Sequence, residues 1–132
     1  RNMNQSNRLV TLKKNREYAF VYRRGKSFGG HYMVLVLVPR SYGGLRTGFS
    51  VSKKVGNAVV RNLARRRLKE SFRRFLPYIK RDAQIIWIAR PPIAQAEFSR
   101  ILREMEYLLK KAGLLKKEDA GCARQDAGAL GE

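Results

Sequence analysis

The residues with the clearest chemistry in this sequence are cations, and they gather between Lys53 and Arg74. The segment contains nine Lys or Arg residues and a single acid, Glu70, so its local charge is +8. Cations at this density attract polyanions, and the phosphate backbone of a nucleic acid is one. The segment therefore predicts a nucleic-acid interface, and its cations are Lys53, Lys54, Arg61, Arg65, Arg66, Arg67, Lys69, Arg73 and Arg74.

The same segment has the period of an amphipathic helix. At 100° per residue, the apolar residues from Val60 to Phe75 fall on one side and most of the cations fall on the other. Gly56 and Asn57 predict a turn with Asn57 as the N-cap, which leaves the positive end of the helix dipole open to an anion. The alternative is an ordinary surface helix with solvated charges. Such helices usually alternate charge sign to gain i,i+4 ion pairs, and this one does not.

The side chains that cleave RNA in protein nucleases form no motif in this sequence. Such enzymes use clustered carboxylates that hold metal ions, or a pair of histidines for acid–base chemistry. The only histidine is His31, beside two glycines, where an ordinary loop residue is expected. The acids before the C-terminal tail have no characteristic spacing, and no phosphate-binding loop or zinc-ligand pattern occurs. We therefore expect a binding protein, and we assign no catalytic residue and no metal ligand.

Composition favours one basic domain with a polar tail. The 132 residues carry a net charge of +19, and 44% of them are hydrophobic, which suffices for one compact core. Residues 118–132 carry −3 and lack apolar periodicity. We expect residues 1–117 to form a single α+β domain that binds phosphate backbones, and residues 118–132 to be a disordered tail. The single cysteine, Cys122, fits a reducing cytoplasm, and no apolar run resembles a membrane span or secretory signal.

The remaining periodic segments predict a small sheet covered by helices. A first helix runs from Asn15, taken as the N-cap, to Arg24, and Tyr18 and Tyr22 share one of its faces while Phe20 points elsewhere. The last helix has one apolar stripe, whose simplest partner is the sheet. The predicted strands cover residues 32–38, about 46–51 and 84–89, with the first two joined as a hairpin, and the last helix covers about 96–112.

Read in order, the basic segment is a strand, a Lys pair, Gly-Asn-Ala-Val, Arg-Asn and a further basic run that ends in Glu. The chain reads Phe49-Ser50-Val51-Ser52-Lys53-Lys54-Val55-Gly56-Asn57-Ala58-Val59-Val60-Arg61-Asn62 and then Arg65-Arg66-Arg67-Leu68-Lys69-Glu70. This arrangement closely resembles the signature of the protein subunit of bacterial ribonuclease P. The resemblance includes two aromatic residues four apart before a Gly in the first helix, and it leaves out only the tail.

The resemblance implies both a fold and a function. The fold is α+β, a small β-sheet with helices packed on it in α-β-β-(β)-α-β-α order. It has a left-handed βαβ crossover around the basic helix, although a right-handed crossover is the physical default. The additional short strand is assigned to residues 49–53. The function is removal of the 5′ leader from precursor tRNA, in which the RNA subunit, using Mg²⁺, hydrolyses the phosphodiester bond.

The resemblance also implies roles for particular residues and partners. Tyr18 and Tyr22 would line a cleft that holds the single-stranded leader, because unpaired bases stack on aromatic rings, at roughly 1–3 kcal/mol per base. In the alternative interpretation these rings pack in the core, and one ring can do both through its edge and its face. The implied partners are the catalytic RNA and precursor tRNA, with no membrane involved. Contact with the catalytic RNA is implied for Lys53, Lys54, Asn57, Arg61, Asn62, Arg65, Arg66 and Lys69.

Two positions depart from the family pattern. Leu63 stands where the Arg-Asn-Arg triplet ends, so Arg65 to Arg67 are expected to replace the missing cation. Leu35 stands where some members carry a tyrosine that faces the leader. The sequence leaves two other functions open: a structural RNA-binding protein of ribosomal type, which would lack the cleft, and an autonomous metal-dependent nuclease, which the missing motifs disfavour.

Overall fold

The computed structural model describes residues 9–115, which form a four-stranded sheet and three helices. The elements are helix α1 (Asn15–Arg24), strands β1 (Lys26–Gly29), β2 (Met33–Pro39) and β3 (Leu45–Ser50), helix α2 (Ala58–Phe75), strand β4 (Ala83–Ala89) and helix α3 (Phe98–Lys111). Short 3₁₀ turns that contain Pro follow α2 and β4. The predicted α+β class and the order of the elements are confirmed.

The strands lie in the order β1-β2-β4-β3. β2 is antiparallel to both of its neighbours, whereas β3 and β4 are parallel. Parallel neighbours require a long connection, and here the basic helix α2 provides it. The crossover through α2 agrees with the fold that the resemblance implied, and it puts the cations of α2 beside the β3 edge of the sheet.

Two details of the predicted topology are wrong. The hairpin of β2 and β3 does not form, because β4 lies between them: Trp87 is the register partner of Leu35 on one side and of Phe49 on the other. β4 is suited to this interior position in the sheet because nearly all of its side chains are apolar and both of its faces are covered. The additional strand is β1 and not residues 49–53. Only Phe28 of β1 is even half-buried, so this edge strand has no apolar pattern to detect.

The two faces of the sheet support different helices. One face packs against α2 and α3 in the main core, where the Phe72 ring lies 5.9 Å from that of Trp87 and 6.5 Å from that of Phe49. The other face carries a smaller apolar cluster that includes Val21 of α1 and Ile86 of β4. The smaller cluster holds α1 across the sheet, so this face is only partly covered.

The chain before α1 runs along the free edge of β3. The Leu12 N–H donates to the Thr47 carbonyl at 3.0 Å, and the Thr47 N–H donates to the Val10 carbonyl at 2.9 Å. These bonds cover an edge that would otherwise expose unpaired backbone groups. The predicted tail, 118–132, and its boundary at residue 117 lie outside the described residues. Within residues 9–115, no helix is both long and apolar enough to cross a membrane.

Candidate nucleic-acid interface

The turn between β3 and α2 carries the first predicted RNA contacts. β3 ends at Ser50, and the following turn is closed by the Val55 N–H, which donates to the Ser52 carbonyl at 3.1 Å. Lys53 and Lys54 are exposed on this turn. Both ammonium groups are therefore presented to solvent where α2 begins. We call this end of the sheet the lysine end.

Helix α2 begins where the sequence predicts. Asn57 is its N-cap, and the side-chain oxygen of Asn57 accepts a hydrogen bond from the Val60 N–H at 3.0 Å. Such a cap typically stabilises a helix by about 1 kcal/mol relative to Ala. A Cβ on Gly56 would lie 2.8 Å from the Val60 side chain, so the turn is tightly packed. The first turn of α2 contains no acidic residue, which leaves its positive dipole end available to a phosphate.

The cations of α2 divide between two surfaces, and two of them serve the fold. Arg67 Nη1 donates to the Ala96 carbonyl at 2.9 Å, and the guanidinium of Arg74 lies 5.6 Å from the centre of the Phe98 ring. Both contacts join α2 to the beginning of α3. Arg67 is therefore engaged within the protein, which favours Arg65 and Arg66 over Arg67 as the expected replacement for the missing cation.

The other surface of α2 carries the predicted RNA contacts. Arg65 Nη1 donates to Asn62 Oδ1 at 3.2 Å, which orients the guanidinium. Lys69 Nζ lies 5.8 Å from the centre of the Phe49 ring, so its stem covers the β3 edge of the core. Arg61 is half-buried, and its Nε is buried without a hydrogen-bond partner within the described part of the chain. We call this surface the cationic face; it comprises Lys53, Lys54, Asn57, Arg61, Asn62, Arg65, Arg66 and Lys69.

Helix α1 crosses the partly covered face of the sheet along one row of residues. Gly48, Ile86 and Val36 are register partners on β3, β4 and β2. At one end of this row, a Cβ on Gly48 would lie 2.7 Å from the Tyr18 ring. At the other end, a Cβ on Gly25 would lie 2.5 Å from Val36 Cγ1. Two glycines thus allow both ends of α1 to approach the sheet closely.

The two predicted tyrosines lie on the same side of α1. Their ring centroids are 6.5 Å apart and the rings are inclined at 44°. Tyr18 is half-buried over the sheet, whereas Tyr22 is 45% exposed. The prediction that they share a face is therefore confirmed. Packing against the sheet explains the burial of one edge of the Tyr18 ring, whereas Tyr22 is too exposed for packing to explain its position.

The tyrosines lie on the side of α1 that faces the lysine end of the sheet. Glu17 lies on the other side of α1 and pairs with Arg46 at 3.5 Å, and Val21 faces the sheet between the two sides. The tyrosines therefore face the next row of the sheet, which is half-buried and mostly apolar. We call this surface the tyrosine cleft; it comprises Tyr18, Tyr22 and the register partners Val34, Ile88 and Ser50.

Leu35 does not belong to this cleft. It is fully buried in the main core with Trp87, on the opposite face of the sheet, because successive strand residues point to opposite faces. The position that the resemblance compared with a leader-facing tyrosine, Leu35, therefore lies away from Tyr18 and Tyr22, and Val34 is the β2 residue on their face of the sheet. The sequence analysis also missed Gly48, for which the only signal was a Gly inside a strand.

The acid Glu17 has a structural role at the beginning of α1. Its Oε1 accepts hydrogen bonds from the backbone N–H groups of Lys13 and Lys14, at 2.9 and 3.1 Å. These two bonds, with a smaller contribution from the nearby Arg46 cation, lower the pKa of Glu17 below its ordinary value. Lys14 is the N-cap of α1 and Asn15 is its first residue, so the predicted cap is displaced by one position.

The other candidates for acid–base chemistry are also engaged or isolated. Both carboxylate oxygens of Glu104 accept the Tyr32 N–H, at 2.8 and 2.9 Å. His31 is exposed, with its ring centroid 4.7 Å from that of Tyr32. Across the part of the chain that the structure describes, no three His, Cys, Asp or Glu side chains are close enough to hold a metal ion.

Comparison with known proteins gives a consistent result. The model of the ribonuclease P family matches residues 6–113. A ribonuclease P protein component from Caldanaerobacter subterraneus is 37% identical over 112 residues, which cover 85% of this chain and 97% of the relative. A component of the same name from Clostridium botulinum is 41% identical over 120 residues, covering 86% and 96%.

Solved structures show the same fold. The RNase P protein of Staphylococcus aureus superposes with a TM-score of 0.74 at 32% identity, covering 83% of this chain and all of the other. The RNase P protein of Thermotoga maritima gives a TM-score of 0.69 at 27% identity, covering 76% and 96%.

Proposed function

The chain belongs to the ribonuclease P protein family, and we propose that its cationic face binds the catalytic RNA while its tyrosine cleft binds the 5′ leader of precursor tRNA. It is the protein subunit of an endoribonuclease that processes the 5′ end of tRNA, and its partner is an RNA subunit. Family membership decides against the ribosomal-type alternative. The observation that carries the proposal is that the two surfaces differ in chemistry and meet at the lysine end.

The cationic face has the properties of a phosphate-binding surface. Its side chains project from a single helix and the turn before it, so they can follow one RNA backbone. The N-cap at Asn57 places free backbone N–H groups beside Lys53 and Lys54.

The tyrosine cleft has the properties of a single-strand site. Unpaired bases need flat apolar surfaces on which to stack, and a duplex cannot offer its bases to such a surface. The cleft provides two rings on one wall and a half-buried row, with Ile88 at its centre, as the floor. The leader is the single-stranded part of precursor tRNA, so this cleft gives a means to distinguish precursor from mature tRNA.

The chemistry of cleavage is left to the RNA subunit in this proposal. Three acids have roles within the protein: Glu17 caps α1, Glu70 pairs with Arg73 at 3.4 Å, and Glu104 accepts a backbone N–H. The described residues offer no set of donors that fits a divalent ion. We propose that the Mg²⁺ used in hydrolysis is held by the RNA, and that this chain contributes affinity and positioning.

The cationic face is tested by the salt dependence of RNA binding. Each phosphate contact contributes roughly 0.7–0.9 to the slope of log K against log salt. Arg65→Ala with Arg66→Ala should reduce the slope by about 1.4–1.8 if both side chains contact phosphates. The measurement is the dissociation constant of protein and RNA subunit over a series of salt concentrations. An unchanged slope in the folded double variant would remove these two arginines from the interface.

The tyrosine cleft is tested by comparing two ligands of the reconstituted enzyme. Tyr18→Ala with Tyr22→Ala should weaken precursor tRNA binding by about 30-fold or more and leave mature tRNA unaffected. Variants with Leu at both positions keep apolar packing without a ring and should behave like the Ala variants. Equal losses for both tRNAs in a folded variant would assign the two rings to packing.

A further inference from the structure

A third aromatic ring of α1 lies outside the tyrosine cleft. Phe20 is 38% exposed and lies on the opposite side of α1, where Glu17 pairs with Arg46. A single exposed ring on a protein surface requires no explanation. Phe20, however, shares its side of α1 with Arg46, a cation on the adjacent strand β3.

A second exposed ring is held in the connection between β2 and β3. Tyr42 is 75% exposed, and the guanidinium of Arg40 lies 5.9 Å from its ring centre. Gly43 has φ +95°, and a Cβ there would lie 2.7 Å from Arg40 Nη2. The glycine turn therefore makes room for the arginine beside the tyrosine, and the ring remains accessible to a ligand.

The sheet register and the helical period of α1 direct Phe20 toward the end of the sheet from which the β2–β3 connection, with Tyr42, projects. Arg46, Gln84 and Val38 are register partners, and they form the row next to α1 on the Phe20 side. Val38 and Arg46 flank the β2–β3 connection in sequence, so this row leads directly to Tyr42. We call this region the loop-end surface; it comprises Phe20, Val38, Arg40, Tyr42 and Arg46.

The cationic face extends toward this same end. α2 begins at the lysine end, where β3 finishes, and it returns to the loop end, where β4 begins. Its last turn carries Arg73, and the exposed Lys80 follows before β4. An RNA that lies along α2 is thereby brought to the end of the sheet that carries Arg40 and Tyr42.

We propose that the loop-end surface binds an unpaired segment of the RNA subunit. Bases stack on Phe20 and Tyr42, and phosphates lie near Arg40 and Arg46. The proposal rests on the proposed function, in which the RNA subunit already occupies α2. The occupant is not the leader, because the body of α1 separates the loop-end surface from the tyrosine cleft.

The test measures affinity for the isolated RNA subunit, with no tRNA present. Phe20→Ala with Tyr42→Ala, in the full chain at fixed salt, should weaken binding by about 30-fold or more if two stacking contacts are lost. Phe20→Tyr with Tyr42→Phe keeps both rings and should bind as the wild type does. Chemical probing should show unpaired nucleotides that the wild type protects and the Ala variant leaves reactive.

The matched control is Tyr107→Ala. Tyr107 is 56% exposed on α3 and has Lys111 Nζ 5.5 Å from its ring centre, but it belongs to neither the cationic face nor the loop-end surface. Its removal should leave RNA affinity unchanged. If Tyr107→Ala lost as much RNA affinity as the Phe20 and Tyr42 variant, the proposal would be overturned, because any exposed aromatic ring would then contribute to RNA affinity whatever its position.

Two further results would overturn it. One is unchanged affinity for the RNA subunit in the folded Phe20 and Tyr42 variant. The other is a loss confined to precursor tRNA, which would assign both rings to the leader. The Arg65 and Arg66 variant, measured in the same assay, separates this proposal from the proposed function. If only the Arg65 and Arg66 variant loses affinity for the RNA subunit, the cationic face is supported and the loop-end surface is refuted. If neither that variant nor the Phe20 and Tyr42 variant loses affinity, both proposals are refuted.

Discussion

Replacing Gly48 with Ala perturbs the tyrosine cleft without touching an aromatic residue. Gly48 lies under the Tyr18 ring, and a Cβ there would be 2.7 Å from the nearest ring carbon. Carbon atoms in ordinary contact are about 3.5–4.0 Å apart, so the ring must retreat by about 1 Å. Gly48 does not have a positive φ, so the added methyl group causes no backbone strain.

Gly48→Ala should weaken binding of the leader more than it lowers the stability of the fold. Tyr18 is half-buried and its ring edge borders the open cleft, so the ring can move, and the loss of stability should stay below the roughly 1–3 kcal/mol of a core overpacking. A displaced ring loses part of a stacking contact of roughly 1–3 kcal/mol. We therefore expect affinity for precursor tRNA to fall about fivefold, with affinity for mature tRNA unchanged.

The assay is the ratio of precursor to mature tRNA dissociation constants in the reconstituted enzyme. Adding Gly48→Ala to Tyr18→Ala should cause no further loss, because the ring that the methyl group displaces is already gone. An unchanged ratio in folded Gly48→Ala protein, or full additivity with Tyr18→Ala, would refute the reasoning.

Three other predictions concern residues outside the cleft. Arg67→Ala should lower the free energy of unfolding by about 1 kcal/mol, measured by denaturant titration, and leave the salt slope of RNA binding unchanged. Arg66→Ala should reduce the salt slope of RNA binding and leave the free energy of unfolding unchanged. His31→Ala and Asp82→Ala enzymes at saturating Mg²⁺ should keep single-turnover rates within about tenfold, since loss of a general acid or base typically costs 10²–10⁴; a thousandfold loss would place acid–base chemistry on the protein. Because the pKa of Glu17 is lowered in the folded protein, ionised Glu17 stabilises the fold above the ordinary pKa of 4.5, and this stabilisation is lost as the pH falls through the lower, folded-state pKa. Glu17→Gln should therefore destabilise the protein near neutral pH and approach the stability of the wild type in acid. A difference in stability that does not change with pH would contradict this.

Much of the molecule could be predicted because its signals are local. The bounds of α1 and α2 follow from their period and from residues at their ends, such as Asn57, whose side chain caps the adjacent turn. The likeness between the basic segment and a family signature identified the function. The strand β1 escaped prediction because an edge strand that buries only Phe28 needs no apolar alternation.

By itself, the sequence determined the chemical character of the two surfaces: a helix with a charged side, and two tyrosines four residues apart. Helical period and net charge depend only on residues near one another in the chain. Only the tertiary structure decided which side chains those surfaces contain. Insertion of β4 between β2 and β3, the turn of Arg67 toward Ala96, the placement of Val34 rather than Leu35 at the cleft, and the seat of Tyr18 on Gly48 all depend on register between distant segments. A one-residue change of register exchanges the two faces of a strand, so no local pattern could settle these contacts.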